Sequence, residues 1–253
     1  SLHDALPISV LIPESLQNCY SEKIVLLPHS YQINDPQRLI SAANMTREDV
    51  GLPVQGFVFC SFNQHYKFVP LVFDSWARIL KRVDHSVLWL MAEGEDVRQN
   101  LRNEIAKRGI APERLIFADR IPSAEHLARM RLADLFLDSL PYNSHTTASD
   151  ALWVGLPIVT LQGQSFAARV ASSLLTAMGL PQLITHSAEQ YENLAVEIAT
   201  NPRMLTEIKN TIGANKQETP LFNSALTTQQ IEAAYEKMVE QKLSHLPPTA
   251  IVV

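Results

Sequence analysis

Near the middle of the chain, Asn143-Ser-His-Thr-Thr-Ala-Ser-Asp150 gathers an imidazole, several hydroxyls and a carboxylate just after the apolar stretch Asp134-Leu-Phe-Leu-Asp138. The order reads as strand, polar loop from Pro141, helix from about Thr146 to Val154, a glycine stop at Gly155 and a further strand. His145, Thr146 and Thr147 then stand at the N-terminal edge of the helix, where unpaired backbone N–H groups and the positive end of the helix dipole converge. Such a mouth takes an anion. A plain cap needs one hydroxyl, whereas this loop offers Ser144, Thr146, Thr147 and Ser149, which favours the anion reading over a cap alone. Asp150 lies one turn further on the same face. A diphosphate at the mouth with a sugar hydroxyl on the carboxylate fits that geometry, so the pattern points to a nucleotide.

Two other loops carry usable side chains. In Phe62-Asn-Gln-His-Tyr-Lys67, which follows the apolar run Phe57-Val-Phe-Cys-Ser61, Lys67 can meet a phosphate as a point charge, and Asn63 or Gln64 can hydrogen-bond its oxygens. A solvated polar loop is the plain alternative. In Ile121-Pro-Ser-Ala-Glu-His126 a helix start capped by Ser123 explains the residues on its own, and His126 gains a role only from its neighbours.

The elements that must position these loops alternate from residue 57 onward. Strand-like runs Phe57–Ser61, Ser86–Met91, Arg114–Ala118, Leu135–Asp138, Ile158–Leu161 and a weak Leu183–Thr185 are separated by helical patterns. The helices are expected over Pro70–Val83, about Asp96–Arg108, Ser123–Leu132, Thr146–Val154 and Ser165–Met178. In the first of them Val72, Trp76, Ile79, Leu80 and Val83 share one face. Strands this apolar are covered on both faces, and strict alternation requires parallel pairing with helical crossovers. The expectation is an α/β fold with a Rossmann-like, doubly wound parallel sheet, followed by C-terminal helices over Ala188–Thr200, Pro202 to about Asn215, and Thr227 to about Lys242. Ligands bind beyond the carboxyl ends of such strands, so the loops after residues 61, 118 and 138 are the places to look. Residues 1–50 read as the end of another lobe or a linker, 51–242 as the nucleotide-binding lobe, and 243–253 as a loose tail. Ser1 to Ser9 carries no recognisable pattern.

Composition narrows the chemistry. A chain of 253 residues, 46 % hydrophobic, can bury a sizeable core. The net charge of −5, with basic residues dispersed, argues against nucleic acid or an anionic membrane as partner. Cys19 and Cys60 have no metal-ligand or disulfide spacing and are expected to be buried free thiols in a reducing compartment. No stretch is long and apolar enough to cross a bilayer, and no leader-like segment opens the chain. A cytoplasmic location is expected. GxGxxG, GxxxxGK[ST] and GxSxG are all absent, which removes most support for dinucleotide dehydrogenases, P-loop kinases and serine hydrolases. No paired aspartates suggest a metal near the helix mouth. Phosphate charge falls to Lys67, the hydroxyls and the helix dipole.

With these residues identified, the chain resembles the O-GlcNAc transferase family of inverting glycosyltransferases, especially bacterial relatives that carry tetratricopeptide repeats. The matching segments are Tyr20–Lys23, Leu27-Pro-His-Ser-Tyr31, Phe62-Asn-Gln-x-Tyr-Lys67, Trp76–Val83, Ser86–Leu90, Asn143–Asp150, Ala167-Ala-Arg-Val-Ala171 and Pro220-Leu-Phe-Asn223. They run in order through most of the chain. The resemblance implies a GT-B enzyme, with this chain as its C-terminal, nucleotide-sugar-binding lobe and the end of the inter-lobe segment. It implies that Gln64 and Lys67 contact the diphosphate, with Lys67 catalytic through stabilisation of the departing nucleotide. His145, Thr146 and Thr147 would hold the phosphates, Asp150 the ribose, His126 the base, and Tyr66 would lie near the sugar. Transfer from UDP-GlcNAc to protein Ser or Thr, without cofactor or metal, is the implied reaction. One departure is Ser123, where the animal enzymes carry a lysine at a position implied to touch the ribose. Plant relatives of similar architecture transfer fucose from a GDP-sugar. A different donor, a non-protein acceptor, or a nucleotide-sugar-binding module without turnover therefore remain alternatives. The family's N-terminal-lobe histidines and acceptor-binding helical repeats have no matching segment in this sequence.

Overall fold

The computed structural model describes residues 10–253, and the opening stretch 1–9 lies outside them. Residues 10–50 are mostly irregular chain, with a short helix α1 (Glu14–Gln17), a two-residue strand β1 (Val25–Leu26) and a 3-10 turn over Glu48–Val50. The lobe begins with β2 (Val58–Ser61), followed by α2 (Pro70–Arg82), β3 (Val87–Met91), α3 (Glu95–Lys107), β4 (Leu115–Ala118) and α4 (Ser123–Met130). It continues with β5 (Leu135–Leu137), α5 (Thr146–Val154), β6 (Ile158–Leu161), α6 (Val170–Ala177) and β7 (Ile184–Thr185). Helices α7 (Ala188–Thr200), α8 (Pro202–Glu218) and α9 (Ser224–Leu243) and the strand β8 (Ile251–Val252) complete it.

β2 to β7 form one six-stranded parallel sheet in the order β4-β3-β2-β5-β6-β7. The alternation of apolar strands and amphipathic helices legible in the sequence is this sheet. Its strands are buried on both faces: Val58, Phe59 and Cys60 of β2 and all of β5 are fully enclosed. α2 packs with Val72, Phe73, Trp76, Ile79 and Leu80 inward, which is the face its helical spacing defines. The chain moves outward from β2 to β4, returns to β5, then moves outward the other way. The connection direction therefore reverses between β2 and β5, and a crevice opens at their carboxyl ends.

Several local expectations are corrected. Ser123 is the first residue of α4 rather than its cap; Pro122 precedes it in extended conformation, and no side chain caps the helix. The helix expected over Ser165–Met178 is divided into a 3-10 turn, Phe166–Ala168, capped by Ser165, and α6. Asn223 accepts from the Leu226 N–H, which starts α9 at Ser224, ahead of the expected Thr227. Cys60 is buried as expected, but Cys19 is exposed. The tail is not loose at its end: Ile251 and Val252 pair in parallel with Val25 and Leu26, and Ile251 is buried. The irregular chain ahead of β2 also packs on the lobe, through Ser41 N–H to Ala124 O at 3.0 Å and Arg47 to Asp134 at 2.8 Å.

Candidate nucleotide site at the sheet's switch point

The loops after β2 and β5 leave the sheet side by side, because Cys60 pairs with Phe136. At their base lies Asp138, wholly buried just past the end of β5. Its carboxylate accepts from the N–H of Ser139 at 2.8 Å and Ser144 at 2.7 Å, and from the hydroxyls of Ser144 and Thr160, both at 2.6 Å. Burial raises its pKa, while these donors oppose the rise. Asn63 bridges the two loops by donating to Ser139 Oγ at 2.9 Å and Ser144 Oγ at 2.7 Å. Trp76 Nε1 donates to Tyr191 OH at 3.0 Å, and Tyr191 donates to the Asp138 carbonyl at 2.9 Å. Strand end, loop and both flanking helices are thereby fixed to one another.

This network consumes two of the hydroxyls that the sequence offers to an anion. Ser144 is buried against Asp138, and Ser149 is buried and accepts from Gln32 Nε2 at 2.9 Å. Thr146 and Thr147 remain, the first exposed and the second half-buried. The N–H groups of Ala148 and Ser149 reach the His145 carbonyl at 3.1 and 3.2 Å, so those of Thr146 and Thr147 precede the first intrahelical bond. No side chain caps this helix. The mouth of α5 thus presents two N–H groups, two threonine hydroxyls and the positive dipole end to the crevice.

Lys67 comes to the same mouth from the other loop. Gln64 is extended, and a 3-10 turn over His65–Lys67 follows, closed by Lys67 N–H to Gln64 O at 2.9 Å. The Lys67 ammonium sits 4.0 Å from the centre of the Tyr142 ring, and among the described residues it makes no ion pair. Partial burial lowers its pKa, with Asp138 pulling the other way. Tyr142 stacks on His145 with centroids 4.9 Å apart. His145 Nδ1 lies 3.4 Å from Tyr31 OH, and its Nε2 3.5 Å from the Ala167 carbonyl. With Nε2–H directed to that carbonyl, Nδ1 is the acceptor for Tyr31. Burial, with the Lys67 charge adding to it, lowers the His145 pKa and keeps the ring neutral.

The far end of the crevice is arranged differently. Asp150 forms an ion pair with Arg38, and the Arg38 carbonyl accepts from Trp153 Nε1 at 3.2 Å. His126 packs edge-on to Phe62 at 5.1 Å and accepts at Nδ1 from Arg129 Nε at 2.9 Å, which leaves its proton on Nε2. Burial first, then the charges of Arg129 and Arg38, bring its pKa down to about 4. Arg129 is itself buried, and its Nη2 has no acceptor among the described residues.

The structure therefore brings Lys67, His145, Thr146 and Thr147 to one mouth, while Asp150 pairs with Arg38, whose charge also lowers the pKa of His126. Gln64 stands half-buried in the loop without a side-chain hydrogen bond, and Tyr66 is 75 % exposed. Asn63, offered by the sequence as a phosphate donor, is instead buried and spends its amide on Ser139 and Ser144. Asp138, Tyr142, Arg129 and Arg38 were not singled out by sequence reasoning. A carboxylate at the end of an all-apolar strand was a usable signal for Asp138, since burial obliges it to find donors. Nothing in local spacing announces Arg38. No group of three or more His, Cys, Asp or Glu among the described residues is gathered to hold a metal. No helix among them is long and apolar enough to cross a membrane.

A parallel sheet with cationic and N–H donors converging at its switch point defines a Rossmann-like nucleotide lobe of the GT-B glycosyltransferase type. The model of glycosyltransferase family 41 matches residues 41–231, and the chain belongs to that family. It is 38 % identical over 232 residues to an Arabidopsis thaliana protein named as a probable UDP-N-acetylglucosamine-peptide N-acetylglucosaminyltransferase, SEC. That match covers 89 % of this chain and 24 % of the relative. A Caenorhabditis elegans protein named as a UDP-N-acetylglucosamine-peptide N-acetylglucosaminyltransferase is 34 % identical, over 80 % of this chain and 18 % of its own length. The chain thus spans about a quarter or less of these relatives. Among solved structures, a mutant of the Thermobaculum terrenum O-GlcNAc transferase superposes with TM-score 0.81 at 30 % identity, covering 90 % of this chain and 43 % of that one. HepE of Anabaena, solved with UDP and glucose, shares the fold at TM-score 0.62 and 14 % identity over 93 % of this chain and 69 % of that one.

Proposed function

We propose that this chain is the donor-binding lobe of a glycosyltransferase that moves N-acetylglucosamine from UDP-GlcNAc to a Ser or Thr hydroxyl of a protein. The observation that carries the reading is the unpaired Lys67 ammonium beside the free mouth of α5, in a chain whose family relatives bear the names of UDP-GlcNAc-peptide transferases. The pyrophosphate lies at the mouth, held by the Thr146 and Thr147 N–H and hydroxyl groups and by the backbone at His145. Gln64 hydrogen-bonds it from the other loop. Asp150 takes the ribose, His126 lies against the base, and Tyr66 faces the sugar side. The cytoplasmic location expected from composition belongs to the same reading.

The reaction is a single displacement with inversion. The acceptor oxygen forms a bond to the anomeric carbon as the bond from that carbon to the β-phosphate oxygen breaks. The electron pair leaves on UDP, and the hydroxyl proton passes to a base. Negative charge therefore grows on the leaving phosphate, and this lobe's part is to meet it with donors already in place. Lys67 supplies the point charge. Partial burial strengthens its field, and the Tyr142 ring keeps it near the mouth without neutralising it as a carboxylate would. No metal is assigned a step. The test is transfer to a Ser/Thr peptide by the protein containing this chain, supplied with UDP-GlcNAc or GDP-fucose in chelator, with the anomeric configuration of the product read by NMR. β-Linked GlcNAc is expected from the α-linked donor; transfer from GDP-fucose alone would overturn the donor assignment.

A further inference from the structure

Four contacts of the segment ahead of the lobe fall on one element. Tyr31 meets His145, Gln32 donates to Ser149, Arg38 pairs with Asp150, and Trp153 holds the Arg38 carbonyl. All four contacts fall between the N-cap and the last turn of α5. Ser41 N–H then joins the Ala124 carbonyl, which carries the segment across to the start of α4. Arg38 thus pairs with Asp150 on α5, and its charge also acts on His126 of α4, lowering that pKa. Its pairing with Asp150 uses one carboxylate oxygen, Oδ1, and no described residue donates to Oδ2. Both partners are largely enclosed, with side chains 21 % and 13 % exposed.

A carboxylate this enclosed resists ionisation unless a cation faces it, and Arg38 is the charge that does so. A protonated Asp150 has lost most of its strength as an acceptor for hydroxyl donors. We propose that Arg38 is a positioning residue of the donor site: it holds Asp150 turned so that Oδ2 is left for the ribose hydroxyls. This rests on the nucleotide reading of the crevice. It adds that the nucleoside end of the site is completed by a residue from outside the sheet lobe. The alternative is a latch, in which Arg38 occupies the place of the ribose and must leave before the donor enters.

The two are separated by calorimetry on the chain with UDP and with a UDP analogue lacking both ribose hydroxyls. In the parent protein, removing the hydroxyls weakens binding by about tenfold or more, the scale of hydrogen bonds to a charged acceptor. Arg38→Ala is expected to weaken UDP by a similar factor while leaving the analogue unchanged, so that the preference for hydroxyls disappears; Arg38→Lys restores part of it. Asp150→Asn should behave like Arg38→Ala, and the two changes together should cost no more than either alone. An equal loss for both ligands in Arg38→Ala overturns the proposal, because Arg38 would then serve the fold only. Tighter UDP binding in Arg38→Ala overturns it in favour of the latch. Failure of the parent protein to bind UDP at all refutes the nucleotide reading itself, and the role of Arg38 with it.

Discussion

The two ends of the crevice are built on opposite plans. At the phosphate end the groups that would meet a ligand are left unpaired: the Lys67 ammonium rests on an aromatic face, and the first N–H groups of α5 lack acceptors within the helix. At the nucleoside end they are already engaged, Asp150 with Arg38 and His126 with Arg129. The difference follows from charge. A diphosphate brings enough negative charge to reward a cluster of bare donors, whose mutual repulsion is tolerable while water reaches them. A ribose and a base bring only neutral donors and acceptors. Charged residues that receive them must already be neutralised by partners, or burial would change their ionisation.

The comparison depends on Asp138, which fastens the phosphate-end loop, and removing it has the largest expected effect. Asp138→Ala leaves two hydroxyls and two N–H groups buried without their acceptor, and should cost on the order of 3 kcal/mol or more in urea unfolding. An unfolding midpoint close to the parent's would show that the loop is held by something else. Lys67→Ala should reduce transfer by about 10²–10³-fold, the usual cost of removing one preplaced donor from growing charge, with the unfolding curve unchanged. Turnover near the parent rate in that variant would remove Lys67 from the mechanism.

The nucleoside end makes a claim about pH. His126 is held neutral, its pKa brought from 6.5 to about 4. The unfolded chain therefore binds more protons between those values, and stability should decline as pH falls from 6.5 towards 4. His126→Gln should flatten that decline by roughly 2 kcal/mol over the window. Parallel curves for variant and parent would mean that the imidazole is not held neutral by the fold. The smallest effect belongs to Tyr142. Tyr142→Leu removes the ring face under Lys67 and should weaken UDP by about threefold, whereas Tyr142→Phe keeps the face and should bind normally. Equal losses in the two would mean that the phenol oxygen, not the face, supports Lys67.

What sequence reading recovered and what it missed divide along the same line. The sheet was legible because its strands are uninterrupted apolar runs and its helices carry a 3.6-residue stripe, as Val72, Trp76, Ile79 and Leu80 do in α2. The gathering of Lys67 with the mouth of α5 was legible because these residues lie close together in sequence, within the two loops that parallel topology places at the switch point. The hydroxyl count misled there, since Ser144 and Ser149 look like ligand groups but serve the fold. The nucleoside end depends on contacts far apart in sequence, such as Arg38 with Asp150, which no local spacing encodes. The tail failed for the same reason: Ile251 and Val252 form a strand only because Val25 and Leu26 lie beside them.

The central claim is that the crevice between the loops after β2 and β5 holds a nucleoside diphosphate through Lys67 and the mouth of α5. Calorimetric titration of the chain with UDP and with GDP, repeated on Lys67→Ala, tests it most directly. UDP should bind in preference to GDP, and the Lys67→Ala variant should bind UDP about tenfold or more weakly, the scale of one charge-assisted contact. No heat from either nucleotide, or UDP binding indifferent to Lys67, would contradict the account.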